Sequence, residues 1–178
     1  MLYVFGFDRV GIVLADLYFL DPNPGPGQEG AERGVRIELR RLEAGAVQGS
    51  IYASRPIGLE EPMWRVDMLE RVDGPVGSFD RTHHHPRCAD WEPDRRVFDP
   101  ELSADPIGWF EDRLQDIESV LDGANVDRAE LGPRDADDIR TSAPEIVACL
   151  RSLLERVHAG SLALAPEESV AAARVSWL

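Results

Sequence analysis

The chain has 178 residues, and its 33 acidic and 19 basic side chains give a formal net charge of −14 at pH 7. This length suits one ordinary domain, and a hydrophobic content of 43% is typical of a globular protein with a packed core. All of the basic residues other than histidine are arginine. The absence of lysine excludes pyridoxal-phosphate enzymes, P-loop nucleotide binding and protein kinases, because each of these needs a lysine side chain.

Charge and cysteine content also restrict the partners and the compartment. Nucleic acid and anionic membrane surfaces would both repel so acidic a chain, so we expect it to bind neither. The chain contains no apolar run long enough for a membrane helix, and its first residues lack the features of a signal peptide. Cys88 and Cys149 provide no disulfide framework. These features predict a cytoplasmic protein.

The first hundred residues carry patterns typical of β-strands. Residues 10–20 are apolar with one interior acid, whereas residues 35–40 and 64–68 alternate between apolar and charged side chains, as half-buried strands do. A segment rich in proline and glycine, residues 21–34, separates the first two of these strands. The predicted strands are residues 10–20, 35–40, 50–54, 64–68 and 78–85.

The loop at residues 21–34 contains Gly25, Gly27 and Gly30 at the spacing of the G-x-G-x-x-G dinucleotide fingerprint. That fingerprint has to open a helix whose N-terminus faces the pyrophosphate. Here prolines surround the glycines and a strand pattern follows, so the helix cannot form. We therefore expect a hairpin loop and no NAD-type cofactor.

After residue 99 the apolar residues recur at helical spacing. A first amphipathic helix is predicted from Pro106, with Asp105 as its N-cap, to Gly123. A second is predicted from a capping box at residues 142–145 to residue 160. A strand at 162–164 and a short helix at 166–174 are weaker predictions. Three acids in front of the second helix, Asp135, Asp137 and Asp138, are interpreted as complements to its dipole rather than as a metal site.

These elements predict a single α+β domain over residues 1–178, mainly β in residues 1–98 and mainly α in residues 99–178. The N-terminal half would form an antiparallel meander of about five strands with one face exposed to solvent, and the two C-terminal helices would cover the other face.

Three of the four histidines lie together at residues 83–85, shortly before Cys88 and Asp90. In a strand, His83 and His85 share one face with Arg81. Two imidazoles at this spacing can bind one metal ion, and Cys88 or Asp90 in the following turn can supply a third ligand. Such a donor set suits Zn²⁺.

The same face also fits a site without a metal. Arg81 would hold a phosphate or carboxylate, while His83 or His85 acts as a general acid or base. Asp67 on the facing strand would then fix the imidazole tautomer. A third interpretation is structural, with the histidines ending a strand at the surface or packing against tryptophans.

The negative charge is concentrated in residues 99–138, which contain 13 acidic residues and three arginines. Trp109 lies at the flank of the first predicted helix, and Asp112 and Asp116 lie on its outer face. An aromatic anchor among acids is what an inhibitor or immunity-like protein presents to a basic partner. The simpler interpretation is a solvated helix face, with Trp109 packed under the loop at 124–141.

The sequence thus predicts a small-molecule or metal-binding domain that uses a His/Arg site on the sheet, and it leaves open whether this domain is an enzyme. The cofactor is unidentified, with a divalent metal such as Zn²⁺ as the candidate. The alternative function is an acidic partner-binding protein that uses the surface at residues 99–138. A further alternative is a homo-oligomer with tryptophans at its subunit contacts.

Overall fold

A computed structural model describes residues 1–166 of the chain. Its strands are β1 (Leu2–Gly6), β2 (Val10–Leu20), β3 (Ala31–Ala44), β4 (Ile57–Arg71) and β5 (His83–His85). They form one five-stranded sheet in sequence order, and every neighbouring pair is antiparallel. A small hairpin follows, made of β6 (Cys88–Ala89) and β7 (Glu92–Pro93). The predicted α+β class with a meander sheet is confirmed.

The helices follow the sheet in the chain. They are α1 (Pro100–Ala104), α2 (Pro106–Gln115), α3 (Ile117–Gly123) and α4 (Asp135–His158), with a 3-10 turn at Arg128–Glu130. Their apolar residues form one core with one face of the sheet. Among the helices of residues 1–166, none is long and apolar enough to cross a membrane.

Two of the strand predictions were wrong in their positions. Residues 50–54 form a turn, in which the Ala53 N–H donates to the Ser50 carbonyl at 2.9 Å, and Ile51 and Tyr52 are 89% and 90% exposed. The sheet nevertheless has five strands, because β1, which was not among the predicted strands, pairs with β2 along Leu2 to Gly6. The predicted strand at 78–85 is shortened to β5, because residues 78–81 lie in turns.

The helix predictions were right in type but wrong in their bounds. The first predicted helix is divided at Asp116, whose φ of −108° and ψ of 48° are not helical. The second begins at Asp135 rather than at a capping box, and Pro144 lies inside it on the exposed side. Residues 162–164 form bends and coil, not a strand. The helix predicted at 166–174 lies outside the described residues apart from Pro166.

The two faces of the sheet have different chemistry. The face against the helices is apolar, with Val10, Ile12, Leu14, Val35, Ile37, Leu39, Trp64, Val66 and Met68 in the core. The opposite face of β3, β4 and β5 carries charged and imidazole side chains. We expected this face to be solvated, but Glu38, Arg65 and Asp67 are only 6%, 6% and 2% exposed. The segments at 21–30 and 86–98 cover it.

A buried carboxylate joins the turn between β1 and β2 to the start of α4. Asp135 is 1% exposed, and its carboxylate accepts from the backbone N–H groups of Asp8 at 2.8 Å and Gly132 at 2.7 Å. The N–H of Arg9 lies 3.2 Å from the second carboxylate oxygen. Asp135 is therefore a structural residue that satisfies buried backbone donors.

Substitution of Asp135 by alanine is expected to lower the free energy of unfolding by about 2–3 kcal/mol, because it leaves buried N–H groups without an acceptor. Urea denaturation would measure the loss. Asp137→Ala is the matched control: the Asp137 side chain is 81% exposed and forms an exposed ion pair with Arg140, so about 0.5 kcal/mol or less is expected. Equal losses in the two variants would contradict the assignment.

Candidate metal centre

The candidate site lies on the covered polar face of the sheet, where β4 meets β5. Asp67 of β4 is paired with His83 in the antiparallel register, and Arg65 is paired with His85. Because side chains alternate along a strand, His83 and His85 both point to the face that carries Asp67. The three residues are buried, with exposures of 2% for Asp67, 3% for His83 and 4% for His85.

The ligand atoms of these three residues converge. The Nε2 atoms of His83 and His85 lie 3.5 and 3.8 Å from Oδ2 of Asp67. One ligand atom from each residue lies within 4.8 Å of the others, and the two imidazole centroids are 5.1 Å apart. The cluster therefore offers two nitrogens and one oxygen to a common centre.

Backbone carbonyls fix the orientation of both rings. The Nδ1 atom of His83 lies 2.8 Å from the carbonyl oxygen of Arg81, and Nδ1 of His85 lies 2.8 Å from that of Asp94. A carbonyl oxygen can only accept, so each Nδ1 carries the proton and donates. In the neutral tautomer, each Nε2 then presents a lone pair to Asp67.

Burial controls the charge of the cluster. It lowers the pKa of His83 to about 4, and it also lowers the pKa of His85, so both imidazoles are neutral at pH 7. Burial opposes ionisation of Asp67 as well, but the adjacent Arg36 guanidinium outweighs this effect and holds the pKa of Asp67 at about 2. At neutral pH the site is thus one carboxylate beside two imidazole lone pairs.

Arg36 holds the carboxylate in place. Its Nε donates to Oδ1 of Asp67 at 2.7 Å and its Nη2 donates to Oδ2 at 3.2 Å, a two-point contact that fixes the carboxylate plane. A second buried ion pair adjoins this one: Arg65 donates from Nε to Oε1 of Glu38 at 2.9 Å. The polar face therefore carries two adjacent buried ion pairs, and the neutral imidazoles lie beside the carboxylate of one of them.

Two segments close over the cluster. The proline- and glycine-rich segment at 21–30 is tied down by Arg81, which contacts the carbonyls of Gly27 and Glu29, and by Arg96, which donates to Gln28 at 2.8 Å. From the segment at 86–98, the Phe98 ring lies against His83, with centroids 5.4 Å apart. These contacts keep the site away from bulk water.

The other predicted site residues have different surroundings. The Arg81 side chain faces the 21–30 segment and Glu32, 3.7 Å away, while its carbonyl orients His83. Cys88 is 8% exposed and burial raises the pKa of its thiol to about 11, so it is a poor nucleophile. Asp90 is exposed at the tip of the β6–β7 hairpin, with a φ of 51°. The converging group contains neither Cys88 nor Asp90.

The three residues of the partner-binding hypothesis differ in their exposure. Trp109 is only 6% exposed, so it cannot serve as an exposed anchor. It stacks on Trp64, with centroids 6.2 Å apart and planes 9° apart. Asp112 and Asp116 are exposed.

Sequence reasoning missed Arg36 and the carbonyl of Asp94, whereas it named Asp67 as the carboxylate partner. The sequence could have indicated that Arg36 lies on the polar face, because Arg36 and Glu38 are two residues apart in an alternating strand and therefore point to the same side. The carbonyl of Asp94 carries no side-chain signal. No protein-family model, curated protein or solved structure matches this chain, so the geometry of the site is the basis for inferring its function.

Proposed function

We propose that this protein binds a divalent transition metal, with Zn²⁺ as the preferred ion, through Asp67, His83 and His85. One observation carries the proposal: two neutral imidazoles, each oriented by a backbone carbonyl, direct their Nε2 lone pairs at the same carboxylate oxygen. Three acceptors without a proton between them repel one another, and a cation at their centre removes that repulsion.

The tautomers support a metal rather than a simple hydrogen-bonded cluster. In metal sites, a histidine ligand donates its other ring N–H to a carbonyl or carboxylate, which fixes the ring for coordination. His83 and His85 each make this contact at 2.8 Å. Arg36 plays the corresponding part for the Asp67 carboxylate, since it binds both oxygens.

The distances favour a tetrahedral ion. Ligands at 2.0–2.2 Å from a tetrahedral zinc are separated by about 3.4 Å, whereas neighbouring ligands of an octahedral ion are separated by about 3.0 Å. The observed Nε2 to Oδ2 separations of 3.5 and 3.8 Å are closer to the tetrahedral value. Two imidazoles also disfavour Mg²⁺ and Ca²⁺, which take oxygen ligands.

Three protein ligands leave one position of a tetrahedral zinc for water or another small ligand, as in catalytic zinc sites. The three ligands are at most 4% exposed, so this position lies beneath the covering segments. We therefore propose metal binding as the basic function. A reaction at the metal would require a substrate small enough to enter under the 21–30 and 86–98 segments.

The test is metal analysis of the untagged, folded protein after incubation with Zn²⁺ and removal of the excess. We expect about one equivalent of zinc per chain and, at a free concentration 100 times Kd, a rise in unfolding free energy of about 2.7 kcal/mol. His83→Gln and Asp67→Asn should abolish both effects. His158→Gln is the control, because His158 lies on α4 outside the cluster.

Sub-stoichiometric zinc together with an unfolding curve that neither zinc nor a chelator shifts would overturn the proposal. Loss of zinc in His158→Gln as strongly as in His83→Gln would also overturn it, since the metal would then be bound elsewhere.

A further inference from the structure

A second feature of the molecule lies on the other face of β5. His84 points away from the metal centre toward the helices, and its ring lies 5.2 Å from that of Trp109. Here a cleft of about 200 Å³ opens between the sheet and the helices. Its walls include Trp64, His84, Trp109, Arg113 and Val120. This cleft shares no side chain with the proposed metal site.

The walls of the cleft are rigid and aromatic. Trp64 and Trp109 are stacked with their planes 9° apart, and the Trp109 indole N–H donates to Oδ2 of Asp99 at 3.0 Å. The two rings are 5% and 6% exposed, so each presents only a narrow apolar strip. A preorganised apolar wall of this kind favours contact with a flat apolar ligand, because the wall needs no rearrangement on binding.

One cation stands at the cleft without a carboxylate partner. The Arg113 guanidinium lies over the Trp109 ring, 4.4 Å from its centroid. Within residues 1–166, Arg113 makes no ion pair, whereas Arg128, Arg134 and Arg140 each contact an Asp or Glu. In a chain of net charge −14, an arginine left without an acidic partner is available to an anionic ligand.

His84 provides a second polar group. Its Nδ1 is buried and makes no hydrogen bond within the described part of the chain. Because a buried donor without an acceptor is more costly than a buried lone pair, the neutral ring carries its proton on Nε2. The backbone of His84 is held by two hydrogen bonds to Val97, at 3.0 and 2.9 Å. The ring is thus a donor on a fixed strand.

We infer that this cleft binds a small aromatic carboxylate. The ring of the ligand lies along Trp64 and Val120, and its carboxylate accepts from the Arg113 guanidinium and the His84 imidazole. The volume suits a ligand with one ring and excludes dinucleotides and drug-sized molecules, whose sites span roughly 300–1,000 Å³. A monoanion is favoured over a phosphate dianion because Arg113 is the one formally charged side chain among the described residues that line the cleft, and the whole chain has a net charge of −14.

The test is a titration of the full chain with benzoate, followed by tryptophan fluorescence. We expect saturable quenching with a Kd at or below about 1 mM. Benzamide, the neutral analogue of the same shape, should bind at least about tenfold more weakly because it lacks the charge-assisted contact. Arg113→Gln should produce a loss of similar size, while the control Arg128→Gln, at a paired and exposed arginine, should leave benzoate binding unchanged.

Absence of saturable quenching by benzoate up to about 10 mM would overturn the inference. Equal binding of benzoate and benzamide, or an unchanged Kd in Arg113→Gln, would also overturn it, because the cation would then play no part. The experiment is run with and without a chelator, so failure of the metal proposal leaves this result interpretable.

Discussion

Arg36→Met is expected to lower the free energy of unfolding by about 3–5 kcal/mol at pH 7, because it leaves the carboxylate of Asp67 buried without its cation. Asp67 is 2% exposed and lies between two neutral imidazoles, so water cannot replace the lost charge, and within residues 1–166 no second arginine lies within 4.0 Å of the carboxylate. Proton uptake by Asp67 itself or by His83 can compensate, but both are costly at pH 7, because the ordinary pKa of an aspartate is about 4 and burial lowers that of His83 to about 4. Urea denaturation at pH 7 in the presence of a chelator measures the effect.

Removal of Arg36 and removal of Asp67 should not cost the same free energy of unfolding. The Arg36 side chain is 23% exposed, whereas that of Asp67 is 2% exposed. Asp67→Asn leaves a guanidinium that can reach water, so its expected cost is smaller, about 1–3 kcal/mol. The double variant should lose less than the sum of the single losses, because neither charge is then left unpaired.

The exposed pair of Arg128 and Asp122 supplies the control. Both side chains are 60% exposed, and Arg128→Met should therefore cost about 1 kcal/mol or less. An Arg36→Met loss as small as that of Arg128→Met would refute the assigned role of the buried pair. Strict additivity in the double variant would refute the direct coupling.

The fold class was predictable from sequence because its signals are local and periodic. The alternation of apolar and charged residues at 35–40 and 64–68 predicted β3 and β4, and the apolar residues at helical spacing after Pro106 predicted α2 and α3. The predicted bounds of the elements were wrong where tertiary contacts override local sequence preference. The three acids at 135, 137 and 138 favour the N-terminus of a helix, and α4 begins there although Pro144 lies within it.

The site was predictable only in part. The spacing of His83 and His85 indicates that they share a face, and strand pairing makes Asp67 a candidate partner. What the sequence could not indicate is that this face is buried, since charged residues in alternation are the usual sign of a solvated face. The contacts of Arg81 and Arg96 with the 21–30 segment join residues more than fifty positions apart. Such long-range closure leaves no periodic pattern.

Burial of the polar face has a consequence for its chemistry. In a solvated face, Asp67, His83 and His85 would keep ordinary protonation behaviour, and histidine protonation would neutralise the carboxylate near pH 6. Under the covering segments the His83 imidazole, with a pKa of about 4, remains neutral well below that pH while Asp67 remains charged, and burial lowers the pKa of His85 as well. The combination of a carboxylate with two unprotonated imidazoles is what a divalent ion requires.

The metal-free protein is expected to lose stability as the pH falls from about 6.5 to 4. The folded pKa of His83 is about 4, below the unfolded value of 6.5. Between these values the unfolded chain binds a proton that the folded chain does not. The contribution of His83 to the free energy of unfolding is therefore fully present above pH 6.5 and is lost toward pH 4. For a pKa shift of this size, the loss of unfolding free energy approaches about 3 kcal/mol.

The groups that face His83 set this shift. Burial is the main cause; His85 and Arg96 lower the pKa further, while Asp67 and the carbonyl of Arg81 raise it. Asp67 contributes in a separate range, because its folded pKa of about 2 lies below the ordinary 3.8, so its stabilisation is lost only as the pH falls below about 4. The free energy of unfolding should therefore fall over two separate pH ranges.

Urea denaturation at pH 7.5, 5.5 and 4.5 (about one unit apart or more) resolves the first range, with a chelator present throughout. In His83→Gln the loss of unfolding free energy between pH 6.5 and 4 should be reduced, since glutamine does not titrate. The residual slope belongs in part to His84 and His85, whose pKa values burial also lowers. Arg128→Gln, at an exposed arginine outside the cluster, is the control and should keep the full slope. A His83→Gln slope equal to that of the unmodified chain would show that His83 is not held neutral by the fold, and the metal site would then lose its main electrostatic support.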